Sequence, residues 1–260
     1  MPAVDWRRCL EAGEDAGAPR VGLSRLKWVT CIPSVSPDYV WHREDVLDLY
    51  AEPDDPRYPQ VCFDESPVQL TSETRHPLPA CPGQPARYDS EYKREGTANL
   101  FLFVQPLRGW RHVNVTQQRT KPDFAQQMRW LVDQYFPTAE RIRLVVDNLN
   151  THTPAALYGV FPPNEARRIT RKLEFHYTPK HGSWLNMAEC EFAVLAGQCL
   201  DRRIPTLETL REEIAAWQCQ RNQHQAKIHW QFDTDAARVK LKRLYPSLES
   251  SKDPVGSEVS

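Results

Sequence analysis

The sequence predicts an α/β fold in which a mixed sheet is flanked by helices, and three observations carry that prediction. Short apolar runs rich in strand formers alternate with longer segments whose apolar residues recur at helical spacing. Glycine is scarce, at 10 residues, while proline reaches 22, so the chain is punctuated by loops and offers no glycine-rich cradle for a phosphate. The composition is globular: 260 residues, 40% hydrophobic and 26% charged, with mean hydropathy -0.62.

Residues 1–34 mix Gly, Pro and charge without a sustained period and are expected to be irregular. Pro37 suits the first turn of a helix, and Val40, Val46, Leu47 and Tyr50 give it one apolar stripe. AEPDDPRYP (51–59) reads as a proline-rich linker, so 35–59 is expected to be a helix and linker ahead of a domain over 60–246. Within that domain QVCFD (60–64) is a short strand, 76–87 with four prolines a loop, and ANLFLFVQP (98–106) and WRHVNVT (110–116) two strands joined by an LRG turn. Lys121–Tyr135 reads as a helix, with Phe124, Met128, Leu131, Val132 and Tyr135 on one face. RIRLVVD (141–147) is a further apolar strand. Thr151, Thr153 and Pro154 mark a helix start, 164–172 a basic helix and LEFHYT (173–178) a strand. Ser183–Arg202 is predicted as one long helix and Leu207–Gln220 as another. A basic segment, RVKLKR (238–243), and a polar, disordered tail (247–260) complete the chain.

The net charge of -1 excludes a uniformly basic coat, but it averages unlike segments. Residues 1–60 carry 7 basic and 11 acidic residues, 247–260 carry 1 and 3, and 61–246 carry 25 and 20, a local +5. Seven cysteines, with no CxxC pair, argue against a zinc knuckle or a disulfide framework and fit a reducing, cytoplasmic setting. There is no apolar leader at the N-terminus. The longest uncharged apolar stretch, Ala98–Leu107, is half the ~20 residues a membrane span needs, so no membrane partner is expected.

Three acids occupy unusual places. Asp64 follows V-C-F and Asp147 follows L-V-V, each at the end of an apolar strand. If the two strands are parallel neighbours, both side chains emerge at one sheet edge, the crevice where open α/β sheets bind ligands. Asp147 alternatively caps the next turn. On the long helix, Leu185, Ala188, Phe192, Leu195, Ala196 and Cys199 form the apolar stripe, flanked by Glu189 and Glu191 on opposite sides. The Glu189 edge carries Asn186, Ala193 and Gly197, small or polar; the Glu191 edge carries the bulkier Met187, Val194, Gln198 and Arg202. Glu189 is therefore preferred as the third acid, against the alternative of an ordinary solvated glutamate. Hard oxygen donors without Cys or His suit Mg²⁺ or Mn²⁺, and two such ions about 4 Å apart clamp a phosphodiester.

At these residues the chain resembles a known family. VCFDES, ARYDSEYKREGTANLF, GWRHVNVT, LVVDNLNTHTP, LEFHYTPKHGSWLNMAECE and QCLDRRIP together resemble the DDE transposases of bacterial insertion sequences in the mariner superfamily, over about Val35–Pro246. HYTPKHGSWLNMAE is the long, specific part of the match. The resemblance implies a ribonuclease-H-like fold and metal-binding catalytic acids at Asp64, Asp147 and Glu189. It also implies Mg²⁺-dependent (or Mn²⁺-dependent) cleavage at transposon terminal inverted repeats, strand transfer into target DNA at TA sites, and a homo-oligomer assembled on DNA in the bacterial cytoplasm. The family's helix-turn-helix modules would precede residue 35; VGLSRLKW (21–28) reads as a remnant of them, and the chain as the catalytic part of a longer protein or of a shortened gene.

Further residues are candidates for contacts with DNA. Lys180 and His181 precede the Glu189 helix and suit a phosphate near the metals. Asn186, His152, Lys93, Arg94 and Lys121 are added, with Tyr92 beside them; His152 alternatively caps a turn. Trp184 is expected to pack in the core, and Arg167, Arg168, Arg171 and Lys172 to form a solvated basic face. Two other functional classes fit the same residues: a catalytically silent DNA-binding remnant that regulates an intact transposase, and a ribonuclease-H-like nuclease acting on RNA–DNA hybrids.

Overall fold

The computed structural model of the protein describes residues 36–245, so the expectations for 1–34 and 247–260 lie outside the described residues. Five strands form one sheet in the order β3-β2-β1-β4-β5. They are β1 (Gln60–Glu73), β2 (Tyr92–Gln105), β3 (Trp110–Thr116), β4 (Ile142–Val146) and β5 (Leu173–Tyr177). β1 to β3 form an antiparallel meander, while β4 and β5 run parallel to β1. The predicted mixed α/β sheet is the observed one.

The helices are α1 (Pro37–Ala51), α2 (Lys121–Trp130), α3 (Pro154–Tyr158), α4 (Pro163–Lys172), α5 (Met187–Leu195), α6 (Leu207–Gln223) and α7 (Thr234–Lys240). Side-chain caps start several of them: Ser36 accepts from Tyr39 N–H before α1, and Thr120 with Asp123 forms a reciprocal capping box at α2. No helix among the described residues is long and apolar enough to cross a membrane.

Strand alternation splits the core in two. Cys62, Leu100, Leu102, Val104 and Val145 face α1, α5, α6 and α7. Val61, Phe63, Phe101, Phe103, Leu144 and Val146 face α2, α3 and α4. α1 buries Val46, Leu47, Leu49 and Tyr50 in the first cluster, so the helix ahead of the proline-rich linker packs into the same core as the sheet.

Three predictions are corrected. β1 and β2 are 14 residues each, far longer than the apolar runs that announced them. Their polar halves pair with each other as a ribbon reaching Glu73 and Tyr92, where backbone hydrogen bonding needs no apolar side chains. The helix from 121 widens into a π-turn over Leu131–Tyr135. The segment read as one helix over 183–202 is broken into a 3₁₀ turn (Ser183–Leu185), α5 and a π-turn (Ala196–Leu200). The first break falls at Asn186, whose side chain accepts from Ala188 N–H and so caps α5 instead of continuing a helix. In the β2–β3 turn, Gly109 has φ +67°, and a Cβ there would run into the Gln225 backbone, so only glycine fits the predicted LRG corner.

Candidate active site

Asp64 and Asp147 lie in matching register. The last pair between the parallel strands β1 and β4 is Cys62 with Val145, and each acid stands two residues beyond its member of that pair. Alternation therefore puts Asp64 on the face of Cys62, the face that α5 covers through Leu185, Met187 and Ala188. Asp147 leaves the end of β4 as predicted. Asp64 is not at a strand end: β2 continues to pair with β1, and only the pairing with β4 stops. The site is thus a gap beside one edge of a continuing strand.

Glu189 enters from the first turn of α5. Burial raises the Asp64 carboxyl pKa to about 7, and the Asp147 and Glu189 charges add to that rise. The Glu65 N–H, donating to Asp64 Oδ1 at 2.8 Å, and His152 act in the opposite direction. Acids from two further elements thus bear electrostatically on Asp64. No group of three or more His, Cys, Asp or Glu side chains among the described residues is drawn together closely enough to hold a metal ion.

His152 is fully buried, stacked on Phe124 with ring centroids 4.9 Å apart and meeting Phe63 edge-on at 5.4 Å. Its Nδ1 is in contact with Asp147 Oδ1, and its Nε2 lies 3.9 Å from Glu65 Oε1. Burial works against a charged ring, but the Asp147 and Glu65 carboxylates outweigh it and raise the His152 pKa to about 9. The ring cannot reach DNA from there. His152 holds Asp147, its Nδ1 also lying 3.4 Å from the Asp147 carbonyl across the turn, which fits its reading as a turn cap and withdraws it from the DNA contacts. Asn186 is likewise fully buried, with both ends of its amide engaged, so it too is withdrawn from the DNA contacts.

Lys180 and His181 are exposed in the loop after β5. They line a cavity of about 380 Å³ together with Asn148, next to Asp147, and with Tyr39 and His42 of α1. His181 sits at φ +65°, left-handed for a residue with a Cβ. Lys93, Arg94 and Lys121 are exposed elsewhere: Lys93 pairs with Glu95 at 3.0 Å on the β1–β2 ribbon, and Lys121 opens α2. Tyr92 lies on the ribbon under the Arg203 guanidinium, 5.7 Å from its ring centroid. Trp184 stacks on Trp230 and packs against the core as expected. On the basic helix Arg168 grips Asp133 at 2.6 and 2.9 Å and Lys172 donates to the Pro137 carbonyl, while Arg167 and Arg171 are exposed.

Glu191 has no place in the site. It is 1% exposed and receives Arg221 at 2.7 and 3.0 Å and Arg111 Nε at 2.9 Å. Residues that sequence reasoning missed are Glu65, which partners His152, and Tyr50, which holds the start of α5. Glu65 carries no sequence signal beyond its place in CFDES; Tyr50 showed only as one member of an apolar stripe.

A family model described as DDE superfamily endonuclease matches residues 59–211, more than half of the chain and inclusive of all three acids. The fold is similar to that of the Mos1 mariner paired-end complex with Mn, with TM-score 0.52 and 16% identity over 85% of this chain and 64% of that one. It is also similar to the Mos1 strand transfer complex, with TM-score 0.51 and 15% identity over 85% of this chain and 65% of that one. The chain thus spans less than two thirds of those solved chains. At these identities the likeness is one of fold, and that fold is ribonuclease-H-like. No curated protein matches the chain.

Proposed function

The chain belongs to the DDE superfamily endonucleases, and from that premise we propose that it is the catalytic domain of a DNA transposase. In this reading it cuts phosphodiester bonds at transposon terminal inverted repeats and joins the freed strand to target DNA at TA sites. It does so as a homo-oligomer on DNA, in the bacterial cytoplasm. Asp64, Asp147 and Glu189 are its metal-binding catalytic acids. One observation carries the reading: the charges of Asp147 and Glu189 bear on a half-buried Asp64 beside the carboxyl end of β4, where its parallel pairing with β1 stops.

The donor set fits Mg²⁺ or Mn²⁺. It is all oxygen, and a carboxyl already resisting ionisation beside two like charges gains from a dication placed among them. When bound, a pair of such ions activates the attacking water or 3′-hydroxyl and neutralises the leaving oxygen. The chain's own residues supply position. Register sets Asp64 beside Asp147, α5 brings Glu189 across, and the buried His152 holds the Asp147 carboxylate. Lys180 and His181, at the cavity next to Asn148, meet DNA phosphates and hold the strand against the acids.

The test is cleavage of DNA bearing the terminal repeats of the chain's own element. Nicks that require Mg²⁺ or Mn²⁺, and that vanish with Asp147→Asn, are the expected result. Activity that survives Asp147→Asn or chelation rejects the assignment of the acids. Cleavage confined to RNA–DNA hybrids makes the chain a nuclease instead.

A further inference from the structure

The gap that admits the acids leaves a problem at its rim. β4 stops pairing with β1 after Cys62, and the next carbonyl on β1, that of Phe63, needs a donor in a buried place. Asn186 supplies it: its Nδ2 donates to Phe63 O at 2.8 Å. The same side chain caps α5, its Oδ1 accepting from Ala188 N–H at 3.1 Å. Its backbone carbonyl accepts from Glu189 N–H at 3.0 Å. One buried amide thus ties the residue immediately before Asp64 to the turn that carries Glu189. Residues three apart share a helix face, so the Glu189 side chain lies within about one turn, roughly 5 Å of axis, of this anchor. A second anchor braces the same junction: Tyr50 OH donates to Leu185 O at 2.8 Å and accepts from Met187 N–H at 3.4 Å. The carbonyl before Asn186 and the N–H after it are both held by α1, and its side chain is held by β1.

We propose that Asn186 is a positioning residue that sets the Glu189 carboxylate against Asp64, with Tyr50 bracing the peptide on either side of it. A cap alone requires only an acceptor, which serine also provides. The bond to Phe63 requires the amide donor at asparagine's reach, which serine lacks. The proposal rests on the reading of Glu189 as a metal ligand.

Mn²⁺ binding to the full chain, followed through the paramagnetic resonance signal of free Mn²⁺, separates the roles, with thermal unfolding measured alongside. Loss of a partner that orients a metal ligand typically weakens binding by about 10–100-fold. Asn186→Ser keeps the cap and should keep the metal-free Tm within a few degrees, yet weaken Mn²⁺ at least tenfold. Asn186→Ala should weaken Mn²⁺ equally and lower the Tm as well. Tyr50→Phe, which removes one hydroxyl and keeps the ring, should weaken Mn²⁺ about threefold. If Asn186→Ser fails to fold, this variant carries the test of the clamp. Mn²⁺ affinity within twofold of wild type in Asn186→Ser, while Glu189→Gln loses it, overturns the proposal. Unchanged affinity in Glu189→Gln itself overturns instead the reading of Glu189 on which it stands.

Discussion

Glu189 and Glu191 sit two residues apart on α5, and the fold treats them oppositely. Two residues turn a helix by about 200°, so their side chains leave on opposite sides. Glu191 points to the seam between β3 and α6, where Arg111 and Arg221 meet it. Arg111 is itself fully buried, and its remaining donors go to Gly109 and Ala226 carbonyls and to Asn222. Burial lowers the Arg111 pKa, with Glu191 opposing that change. Glu189 lies near enough to Asp64 for its charge to bear on that acid. Among the described residues no cation pairs with it, and its charge raises the pKa of another acid. Glu191 is thus a buried charge offset by protein cations, whereas the acid proposed for the site is left beside its own kind with no protein cation among the described residues.

The sharpest test of that contrast is the pair Glu189→Gln and Glu191→Gln. The first should lower metal-dependent cleavage at least about a thousandfold, roughly 4 kcal/mol of transition-state stabilisation. It should leave thermal stability unchanged or slightly raised, since it removes a repulsion. The second leaves Arg111 buried against an uncharged partner and should cost about 3–5 kcal/mol in urea unfolding. Replacing both partners with apolar residues, Arg111→Met with Glu191→Leu, should recover most of that loss, because neither charge is then stranded. Equal stability of the two single variants removes the distinction between the glutamates.

How legible this was in the sequence depended on the range of the interaction. Asp147 was readable because β4 is a fully buried strand, apolar except for Arg143, that stops just before the acid. The preference for Glu189 followed from helix periodicity, and the structure shows its neighbour Glu191 buried against Arg111 and Arg221. Asp64 was placed on the correct strand but at a false end. Apolarity reports burial, whereas the rest of β1 is held by hydrogen bonds to an equally polar β2. His152 and Asn186 were assigned to DNA because a polar residue near a candidate site acid looks the same in sequence whether it faces solvent or the core. His152 stacks on Phe124 and meets Phe63 edge-on, and Asn186 reaches Phe63 across 123 positions. Local patterns do not encode contacts of that separation.

Asp64 extends the comparison to pH. Its pKa rises on folding from 3.8 to about 7, so between those values the folded chain keeps a proton that the unfolded chain has lost. Stability from this group falls as pH climbs through that window and stays low above it. Asp64→Asn should therefore match wild type below pH 4 and exceed it above pH 7. The ceiling is about 4 kcal/mol, three pKa units at 1.36 each. Thermal melts in chelator across pH 4–8 provide the measurement, and saturating Mn²⁺ should erase the difference by stabilising wild type alone. Glu191→Gln moves stability the other way at the same pH. Two neutralised acids with opposite signs would express the contrast in one experiment, and a destabilised Asp64→Asn would break it.

The smallest effect concerns the cations. Arg111 offsets Glu191 inside the fold, whereas Lys180 is exposed at the cavity it shares with Asn148, and none of the ion pairs among the described residues includes it. If its partner is a DNA phosphate, Lys180→Gln should weaken binding a few-fold. It should also reduce the slope of log affinity against log salt by about one, the release of one counterion's worth of charge. Arg167→Gln, on the exposed basic face of α4, removes the same charge at a position outside the cavity and should leave the slope unchanged. Equal slopes for the two variants would mean that DNA reads only the net charge of the domain. A change confined to Lys180 assigns a DNA phosphate as the partner of this exposed lysine.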